Sequence, residues 1–298
     1  MKNYIITPLK NIVLHSRLIV ELYVLMAFFL ALLLSNSKID LTVFISMCSW
    51  FLLSTGSTLF NDYYDRDKGV LLGLDHPPKI KKYILSASII AKAVGFILSI
   101  LYLPIVFSAI YIFGILASIA YSHKEIRVKA MARTSVLFSF LSGAATYFVA
   151  IIIIFRENYF AILNNFYIHL GGLLASAFFL SSFHIMTQIH QKKEDADRGD
   201  KTLTVIYGRE KALLVGLIFY TISTIIIAII FLASLSKIIG IIFIIYSIIT
   251  ILFIIKWMKY FSAREDKKNM QIITRFSLNV VFIFLIIIYF YLVYFNRN

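Results

Sequence analysis

Two short acidic segments stand out in a chain that is otherwise apolar and basic. The first is NDYYDRD at residues 61–67, and the second is QKKEDADRGD at residues 191–200. Together with Asp75 they hold eight of the 15 acidic residues, and each follows an apolar run long enough to cross a membrane. Carboxylates gathered beside a membrane favour the binding of a divalent cation, and such a cation favours a substrate that carries phosphate.

The spacing inside each segment suits a helix that continues past the apolar run. Asn61, Asp62 and Asp65 then share one helical face, because residues three and four apart are neighbours. Gln191 and Asp195 repeat the four-residue spacing in the second segment. Oxygen ligands that converge from two facing helices suit Mg²⁺, which takes a few carboxylates, waters and diphosphate oxygens. The alternative is a pair of solvated loops in which the acidic residues balance neighbouring lysines.

The composition is that of an integral membrane protein. Of the 298 residues, 60% are hydrophobic, and the mean hydropathy is +0.88. The chain has room for many membrane spans but for little else, so we expect a single domain over residues 1–298. Cys48 is the one cysteine and lies in an apolar run, which excludes a disulfide framework.

The apolar runs predict nine membrane spans, each near the roughly 20 residues that cross a bilayer. Their approximate limits are 18–35, 41–60, 83–102, 104–121, 134–154, 167–187, 212–235, 238–256 and 274–295. Pro104 separates the third span from the fourth. We therefore expect an all-α membrane fold with nine transmembrane helices around a central cavity. The helices would form two similar four-helix halves followed by a ninth helix.

The basic residues predict how the spans are oriented. Of the 29 lysines and arginines, 24 precede the first span or follow spans two, four, six and eight. By the positive-inside rule, the N-terminus and both acidic segments face the cytoplasm and the C-terminus lies outside. We expect a multi-pass protein of the inner (cytoplasmic) membrane, surrounded by lipids and without a nucleic-acid partner. The two acidic segments would then face each other across one cavity.

Three segments resemble motifs of the UbiA-type intramembrane prenyltransferases. NDYYDRDKG from residue 61 resembles the family motif NDxxDxxxD. QKKEDADRGDKTLTVIYG from residue 191 resembles the second motif, DxxxDxxxG, with its trailing TLxVxxG. YSHKEIRVK at residues 121–129 resembles YSxPPxRxK, although the prolines are missing. The three resemblances occur in the family's order and cover essentially the whole chain.

The resemblance implies transfer of a prenyl chain from a polyprenyl diphosphate to a lipophilic acceptor, such as an aromatic ring or a quinone precursor. Mg²⁺ would act as a Lewis acid on the departing diphosphate. A cavity among apolar helices would keep water from the allylic cation and hold the isoprenoid chain. The resemblance does not indicate the acceptor, the length of the prenyl chain or the oligomeric state.

Carried over position by position, the resemblance implies metal ligation by Asn61, Asp65, Gln191 and Asp195. Asp62 would support Asp65, and the carboxylates of Asp62, Asp65 and Asp195 would be the catalytic set. Contacts to the substrates are expected from a further group of residues: Tyr121, Arg127, Lys129, Asp67, Glu194 and Lys92. Lys92 joins this group because its charge lies near the middle of the third span, where it is costly unless it has a partner. The alternative for Lys92 is a side chain that reaches the membrane surface.

Two positions depart from the family motifs. The final Asp of the first motif is replaced by Gly69, and the first Asp of the second motif is replaced by Gln191. Asp67 and Glu194 lie close enough in sequence to substitute, and Gln191 still offers a carbonyl oxygen. The second segment resembles a TQxxQxxED form of the motif, so the chain resembles a variant subgroup.

Two other functions remain compatible with the sequence. A membrane terpene cyclase of the same superfamily would use the same diphosphate chemistry without an acceptor. A lipid transporter or lipid-binding protein would use the polar groups as a transport path. The acidic residues lie at one membrane face, whereas transporter sites usually lie near the midplane. Metal dependence and product analysis separate these possibilities.

Overall fold

The computed structural model describes residues 7–66, 77–260 and 266–294, and this part of the chain is helical, without a strand. Asp67 and Gly69 lie outside the described residues. The α-helices are α1 (Pro8–His15), α2 (Leu18–Leu34), α3 (Leu41–Asp65), α4 (Lys82–Tyr102), α5 (Ile105–Ser122), α6 (Ala132–Ile154), α7 (Ala161–Asn164), α8 (Phe166–Gln188), α9 (Lys192–Asp197), α10 (Leu203–Tyr207), α11 (Arg209–Ile230), α12 (Lys237–Lys259) and α13 (Asp266–Tyr294). Two 3₁₀ turns, Val128–Ala130 and Ile189–Gln191, and a π-helical turn, Phe231–Leu235, complete the helical elements.

Each of the nine predicted apolar runs coincides with a helix. Within the described residues, eight helical segments are long and apolar enough to cross a membrane, and α2 is a shorter apolar helix. The chain is therefore a multi-pass membrane protein, and the predicted all-α membrane fold is confirmed. The break between α4 and α5 falls at Leu103–Pro104, as predicted, because proline cannot continue the helix that precedes it.

Local sequence explains where α3 begins and ends. Asp40 precedes the helix, and its carboxylate accepts a 2.8 Å hydrogen bond from the backbone N–H of Val43. This bond satisfies one of the four N–H groups that a helix start leaves unpaired. At the other end Arg66 takes a left-handed conformation (φ 52°) and stops the helix directly after Asp65. Residues 61–65 of the first acidic segment thus form the last turn of α3, as the helical interpretation predicts.

The helices approach one another closely where small residues meet. Gly143 on α6 lies against the backbone of α8, where a Cβ atom would stand 2.4 Å from the carbonyl oxygen of Ser176. Because a backbone atom cannot move aside, only glycine permits this contact. Small residues at helix crossings are typical of membrane bundles, whose helices gain little from hydrophobic burial in lipid.

One end of the bundle carries the acidic segments, and we call it the motif end, defined by Asp65 and Asp195. There the connection between α5 and α6 pairs with the connection after α9. The backbone N–H of Lys201 donates to the carbonyl of Ala130 (2.6 Å), and the N–H of Ala132 donates to the carbonyl of Lys201 (2.9 Å). The two connections are held together at backbone level, and this fixes the positions of their side chains.

Candidate active site

A cavity of about 490 Å³ opens between the helices beneath the motif end. Its polar lining at this end comprises Asn61, Asp65, Lys129, Gln191, Asp195, Arg198 and Asp200. Its walls toward the bundle interior are largely apolar and aromatic, and include Trp50, Leu53, Phe113, Phe138, Leu141, Leu180 and Phe183. The cavity therefore combines a charged end with an apolar interior, a shape that suits an amphiphilic molecule with a polar head.

The last turn of α3 supplies the first group of polar side chains. The amide oxygen of Asn61 accepts hydrogen bonds from Ser122 Oγ (3.0 Å) and from Lys129 Nζ (2.5 Å). The ammonium of Lys129 also donates to Asp65, whose side chain is 7% exposed. Lys129 thus holds both predicted ligands of the first motif in one place.

The segment after α8 supplies the second group. Gln191 ends the 3₁₀ turn that follows α8, and Asp195 lies on the short helix α9. Asp195 is buried and accepts hydrogen bonds from Arg198 (2.5 Å) and from the hydroxyl of Thr202 (3.1 Å). The helix does not continue unbroken through the second acidic segment, because the 3₁₀ turn separates α8 from α9.

Arg127 and Asp200 join the two groups. The guanidinium of Arg127 donates from Nε and from a terminal nitrogen to the two oxygens of Asp200, both at 2.8 Å, and also reaches Asp65 at 3.1 Å. Asp200 in turn accepts from Arg198 (3.3 Å), which pairs with Asp195. An alternating series of charges therefore runs from the first motif to the second. Its two-pronged Arg127–Asp200 contact is the most directional link.

The pKa values of both Arg127 and Asp200 are shifted by their contact. Hydrogen bonds to Asp200 raise the pKa of Arg127, while burial opposes this shift and the charges of Asp65 and Asp200 add to it. Burial raises the pKa of Asp200, but the hydrogen bonds and positive charges of Arg127 and Arg198 lower it by more, so it lies below its ordinary value. Both groups are therefore charged at neutral pH, and the pair is held by charge.

Asp62 points away from this cluster. It is 2% exposed, and its two carboxylate oxygens face His15 Nδ1 (2.9 Å) and the guanidinium of Arg17. The other ring nitrogen of His15 lies 3.0 Å from the carbonyl oxygen of Pro78. Both ring nitrogens therefore face acceptors, an arrangement that suits a doubly protonated imidazolium. Asp62 ties α3 to the segment between α1 and α2 and lies beside the predicted ligands.

The other residues predicted to contact substrates occupy different places. Tyr121 lines the cavity, with its ring stacked on Phe138 (centroids 4.4 Å apart). Lys92 lies behind the cavity wall, where its ammonium donates to Ser118 Oγ at 2.8 Å and lies 4.4 Å from the centre of the Phe60 ring. Glu194 is half-buried on α9, and Asp67 lies outside the described residues.

Sequence reasoning missed several members of the site. Arg198 has no counterpart in the motifs considered above, yet it lines the cavity and pairs with Asp195. Asp200 was noted only as part of the acidic segment, and nothing in its spacing indicated a contact with Arg127. His15 and Arg17 carry no motif that could have found them. Their contacts with Asp62 join residues 47 and 45 positions apart in sequence.

The donor set fits a magnesium ion that is shared with a phosphate group. Asp65 and Asp195 offer carboxylates, and Asn61 and Gln191 offer amide oxygens, in the same cavity. Within the described residues, no three His, Cys, Asp or Glu side chains lie together in a way that could hold a metal ion by themselves. Mg²⁺ is commonly bound through one or two carboxylates with waters and substrate phosphates, so it does not require such a cluster.

Comparisons with known proteins follow the same direction. A sequence model described as the UbiA prenyltransferase family matches residues 23–286. No curated protein sequence matches the chain.

Among solved structures, a UbiA homologue from Archaeoglobus fulgidus bound to DMAPP and Mg²⁺ is similar, with a TM-score of 0.63 and 18% identity over 93% of this chain and 99% of that one. The same homologue bound to GPP and Mg²⁺ gives a TM-score of 0.62 and 19% identity over the same shares of the two chains. A structure of digeranylgeranylglyceryl phosphate synthase gives a TM-score of 0.56 and 18% identity, over 94% of this chain and 96% of that one. At these identities, the structural likeness establishes a shared fold.

Proposed function

The chain belongs to the UbiA prenyltransferase family, and we propose that it transfers a prenyl chain from a polyprenyl diphosphate to a lipophilic acceptor. The observation that carries the proposal is the pairing of Asp65 and Asp195 through Arg127, Asp200 and Arg198 at the polar end of one apolar cavity. A diphosphate with a long isoprenoid tail has the same division into a charged head and an apolar chain. The UbiA homologue structures with GPP or DMAPP and Mg²⁺ support this choice of donor.

The polar residues divide into two groups by their chemistry. Asn61, Asp65, Gln191 and Asp195 would hold Mg²⁺, which when bound supplies Lewis-acid stabilisation of the departing diphosphate. Asp62 supports this group by fixing the last turn of α3.

Arg127, Lys129 and Arg198 would donate hydrogen bonds to diphosphate oxygens, since guanidinium and ammonium groups are the usual partners of phosphate. These bases now neutralise the carboxylates, so each can turn to the diphosphate once a cation takes its place.

The apolar walls perform the second task, which is to protect the reacting carbon. Leu53, Leu141 and Leu180 exclude water that would otherwise capture the allylic cation as an alcohol. The rings of Trp50 and Phe183 border the same space and can stabilise a cation through their electron-rich faces. We propose an aromatic compound or a quinone precursor as the acceptor, because it would fit among these walls.

The proposed setting is the inner membrane, with the N-terminus and the motif end toward the cytoplasm and the C-terminus outside. The excess of basic residues at the connections of the motif end supports this orientation. A water-soluble diphosphate head would then reach the charged end of the cavity from the cytoplasm, while the prenyl chain and the acceptor arrive from the lipid.

The test is an assay with radiolabelled geranyl, farnesyl and geranylgeranyl diphosphates and membranes that contain the protein. Host lipid extract serves as the acceptor pool, and each reaction is run with and without Mg²⁺. Mg²⁺-dependent labelling of an extractable lipid is the expected result, and the mass of that lipid identifies the acceptor. A labelled cyclic hydrocarbon would indicate a terpene cyclase instead, and uptake of unaltered diphosphate would indicate a transporter.

A further inference from the structure

A histidine and a tyrosine meet inside the cavity, below the charged cluster. The hydroxyl of Tyr121 on α5 lies 3.1 Å from Nε2 of His184 on α8, and both side chains line the cavity. Ser135 Oγ (2.9 Å) and the side-chain amide nitrogen of Gln188 (3.0 Å) also face His184 Nε2. Three potential donors thus converge on one ring nitrogen at the cavity wall.

This geometry fixes the state of the imidazole. An amide nitrogen can only donate, so the contact from Gln188 requires His184 Nε2 to carry its lone pair and to accept. The neutral ring with its proton on Nδ1 satisfies this requirement. The hydroxyl of Tyr121 is a second donor and shares this one lone pair with Gln188, which leaves the lone pairs of the tyrosine oxygen for another donor.

The position of the pair suits the reacting centre. His184 lies on α8, one turn before that helix ends at Gln188, whereas Gln191 and Asp195 follow beyond its end. His184 is therefore deeper in the bundle than the predicted metal ligands. Tyr121 lies between the two levels, with Lys129 Nζ 5.9 Å from the centre of its ring. An acceptor that reaches the carbon next to the diphosphate would therefore meet the Tyr121 hydroxyl.

Charged groups near the pair are those of the motif end: Asp65, Asp195, Lys129 and Arg127. Each of them is engaged by an opposite charge: Lys129 and Arg127 pair with Asp65, and Arg198 pairs with Asp195. The site carboxylates are thus held by charged partners, whereas the groups that contact the His184 nitrogen are neutral.

We propose that Tyr121 and His184 form a proton relay that accepts the proton lost by a hydroxyl group of the acceptor. This inference rests on the proposed prenyl transfer. The C–O bond to the diphosphate breaks and its electron pair leaves with the diphosphate. The acceptor forms a bond to the freed carbon with an electron pair of its hydroxyl oxygen or of the conjugated carbon beside it. Its hydroxyl proton passes to the Tyr121 oxygen while the tyrosine proton passes to His184 Nε2.

The relay also explains why a neutral residue is needed at this depth. Polarising a hydroxyl raises the electron density of the acceptor, which makes it a better nucleophile toward the allylic carbon. A carboxylate in this place would instead attract the metal or capture the cation. The proton on His184 returns to water through the polar motif end after the products leave.

The experiment measures two products of the same reaction. Membranes are given radiolabelled geranyl diphosphate, Mg²⁺ and host lipid extract, and released diphosphate and labelled lipid are quantified separately. The variants are Tyr121→Phe, which keeps the ring and loses only the hydroxyl, and His184→Gln. The matched control is His169→Gln, because His169 is a buried histidine on the same helix whose Nδ1 lies 3.0 Å from the hydroxyl of Tyr147, away from the cavity.

We expect both relay variants to form labelled lipid at least tenfold more slowly while diphosphate release continues, with geraniol as the second product. The control should behave like the native protein. Equal loss of release and labelling in Tyr121→Phe, or unchanged labelling in both variants, would overturn the relay. A native protein that releases no diphosphate would instead contradict the proposed function itself.

Discussion

The helix pair α3–α4 in the first half of the molecule and the pair α8–α11 in the second half are joined by the same kind of contact. In the first pair, Ser49 Oγ donates to the carbonyl of Gly95 (2.7 Å) and Ser88 Oγ donates to the carbonyl of Gly56 (2.6 Å). Each helix thus donates one hydrogen bond and accepts one, and on each helix the two positions are seven residues apart.

The second pair repeats this arrangement with donors and acceptors exchanged. Ser182 Oγ donates to the carbonyl of Gly216 (2.7 Å), and Ser223 Oγ donates to the carbonyl of Ala175 (2.8 Å). Positions 175 and 182 follow positions 49 and 56 by 126 residues, and positions 216 and 223 follow 88 and 95 by 128. The contacts therefore occupy corresponding places, which supports the predicted pair of similar halves.

The halves differ where they reach the motif end. With the same offset of 126, Asp65 corresponds to Gln191, and Gly69 corresponds to Asp195. Asp62, which binds His15, corresponds to Gln188, which contacts His184. The helix contacts are thus repeated in the two halves, but the acidic residues are not. At positions 65 and 191 only the first half has a carboxylate, and at positions 69 and 195 only the second half has one.

The largest expected effect follows from removing either carboxylate. Asp65→Asn and Asp195→Asn should each lower prenyl transfer by roughly 100-fold or more, because neither half offers a second carboxylate at the matched position. The measurement is the rate of lipid labelling at saturating donor. Asp197→Asn is the control, since Asp197 is an exposed acid on the same short helix. If either variant kept more than a tenth of the native rate, the halves would not contribute equally.

The next effect concerns the difference between Asp62 and its counterpart. Asp62→Ala should lower the free energy of unfolding in detergent by roughly 3–5 kcal/mol, because it leaves the buried His15 and the largely buried Arg17 without their counter-charge. Gln188→Ala removes only neutral hydrogen bonds and should cost about 1 kcal/mol. Equal losses in the two variants would mean that the ion pairs of Asp62 do not stabilise the first half.

A smaller change should make the halves more alike. Gln191→Asp places a carboxylate opposite Asp65, and added ligand charge strengthens the binding of hard cations. We expect the Mg²⁺ concentration for half-maximal donor binding to fall roughly fivefold, as measured by titration of the metal at fixed donor. Gln188→Asp, one turn away, serves as the control for charge alone. If the Mg²⁺ concentration for half-maximal donor binding fell in Gln188→Asp but not in Gln191→Asp, position 191 would not be a ligand.

The smallest effect tests whether the scaffold is truly repeated. Ser49→Ala and Ser223→Ala should each lower the free energy of unfolding by about 0.6 kcal/mol, the usual size of an interhelical hydrogen bond in a membrane. Each variant leaves a carbonyl that remains bonded within its own helix. A loss above about 2 kcal/mol in one variant only would indicate that the two contacts are not equivalent.

Much of the fold could be predicted because membrane spans are long and apolar. Pro104 marked the break between α4 and α5, and the spacing of Asn61 and Asp65 placed them on one helical turn. The contact between Arg127 and Asp200 could not be predicted in this way, since it joins two connections 73 residues apart and follows no period. Side chains in such connections are positioned by backbone pairing, here between Lys201 and Ala130, which leaves no pattern in the sequence.

The predicted site residues illustrate the same limit. The motif spacing predicted that Asp65, Gln191 and Asp195 lie near one another, and all three line the same cavity. It did not distinguish Asp62 from its neighbours, because the direction of its side chain depends on His15 and Arg17, which approach from the chain's first residues. It also gave no reason to prefer His184, whose partners come from α5 and α6.

We propose that one carboxylate from each half binds the same metal ion, and that the diphosphate is held through that ion. The most direct test is binding of Mn²⁺, as a paramagnetic substitute for Mg²⁺, in the presence of a thiolo analogue of geranyl diphosphate that cannot ionise readily. Electron paramagnetic resonance of the purified protein should detect a diphosphate-dependent Mn²⁺ signal. This signal should be lost in both Asp65→Asn and Asp195→Asn and retained in Asp197→Asn. A native signal in either of the first two variants would contradict the shared site.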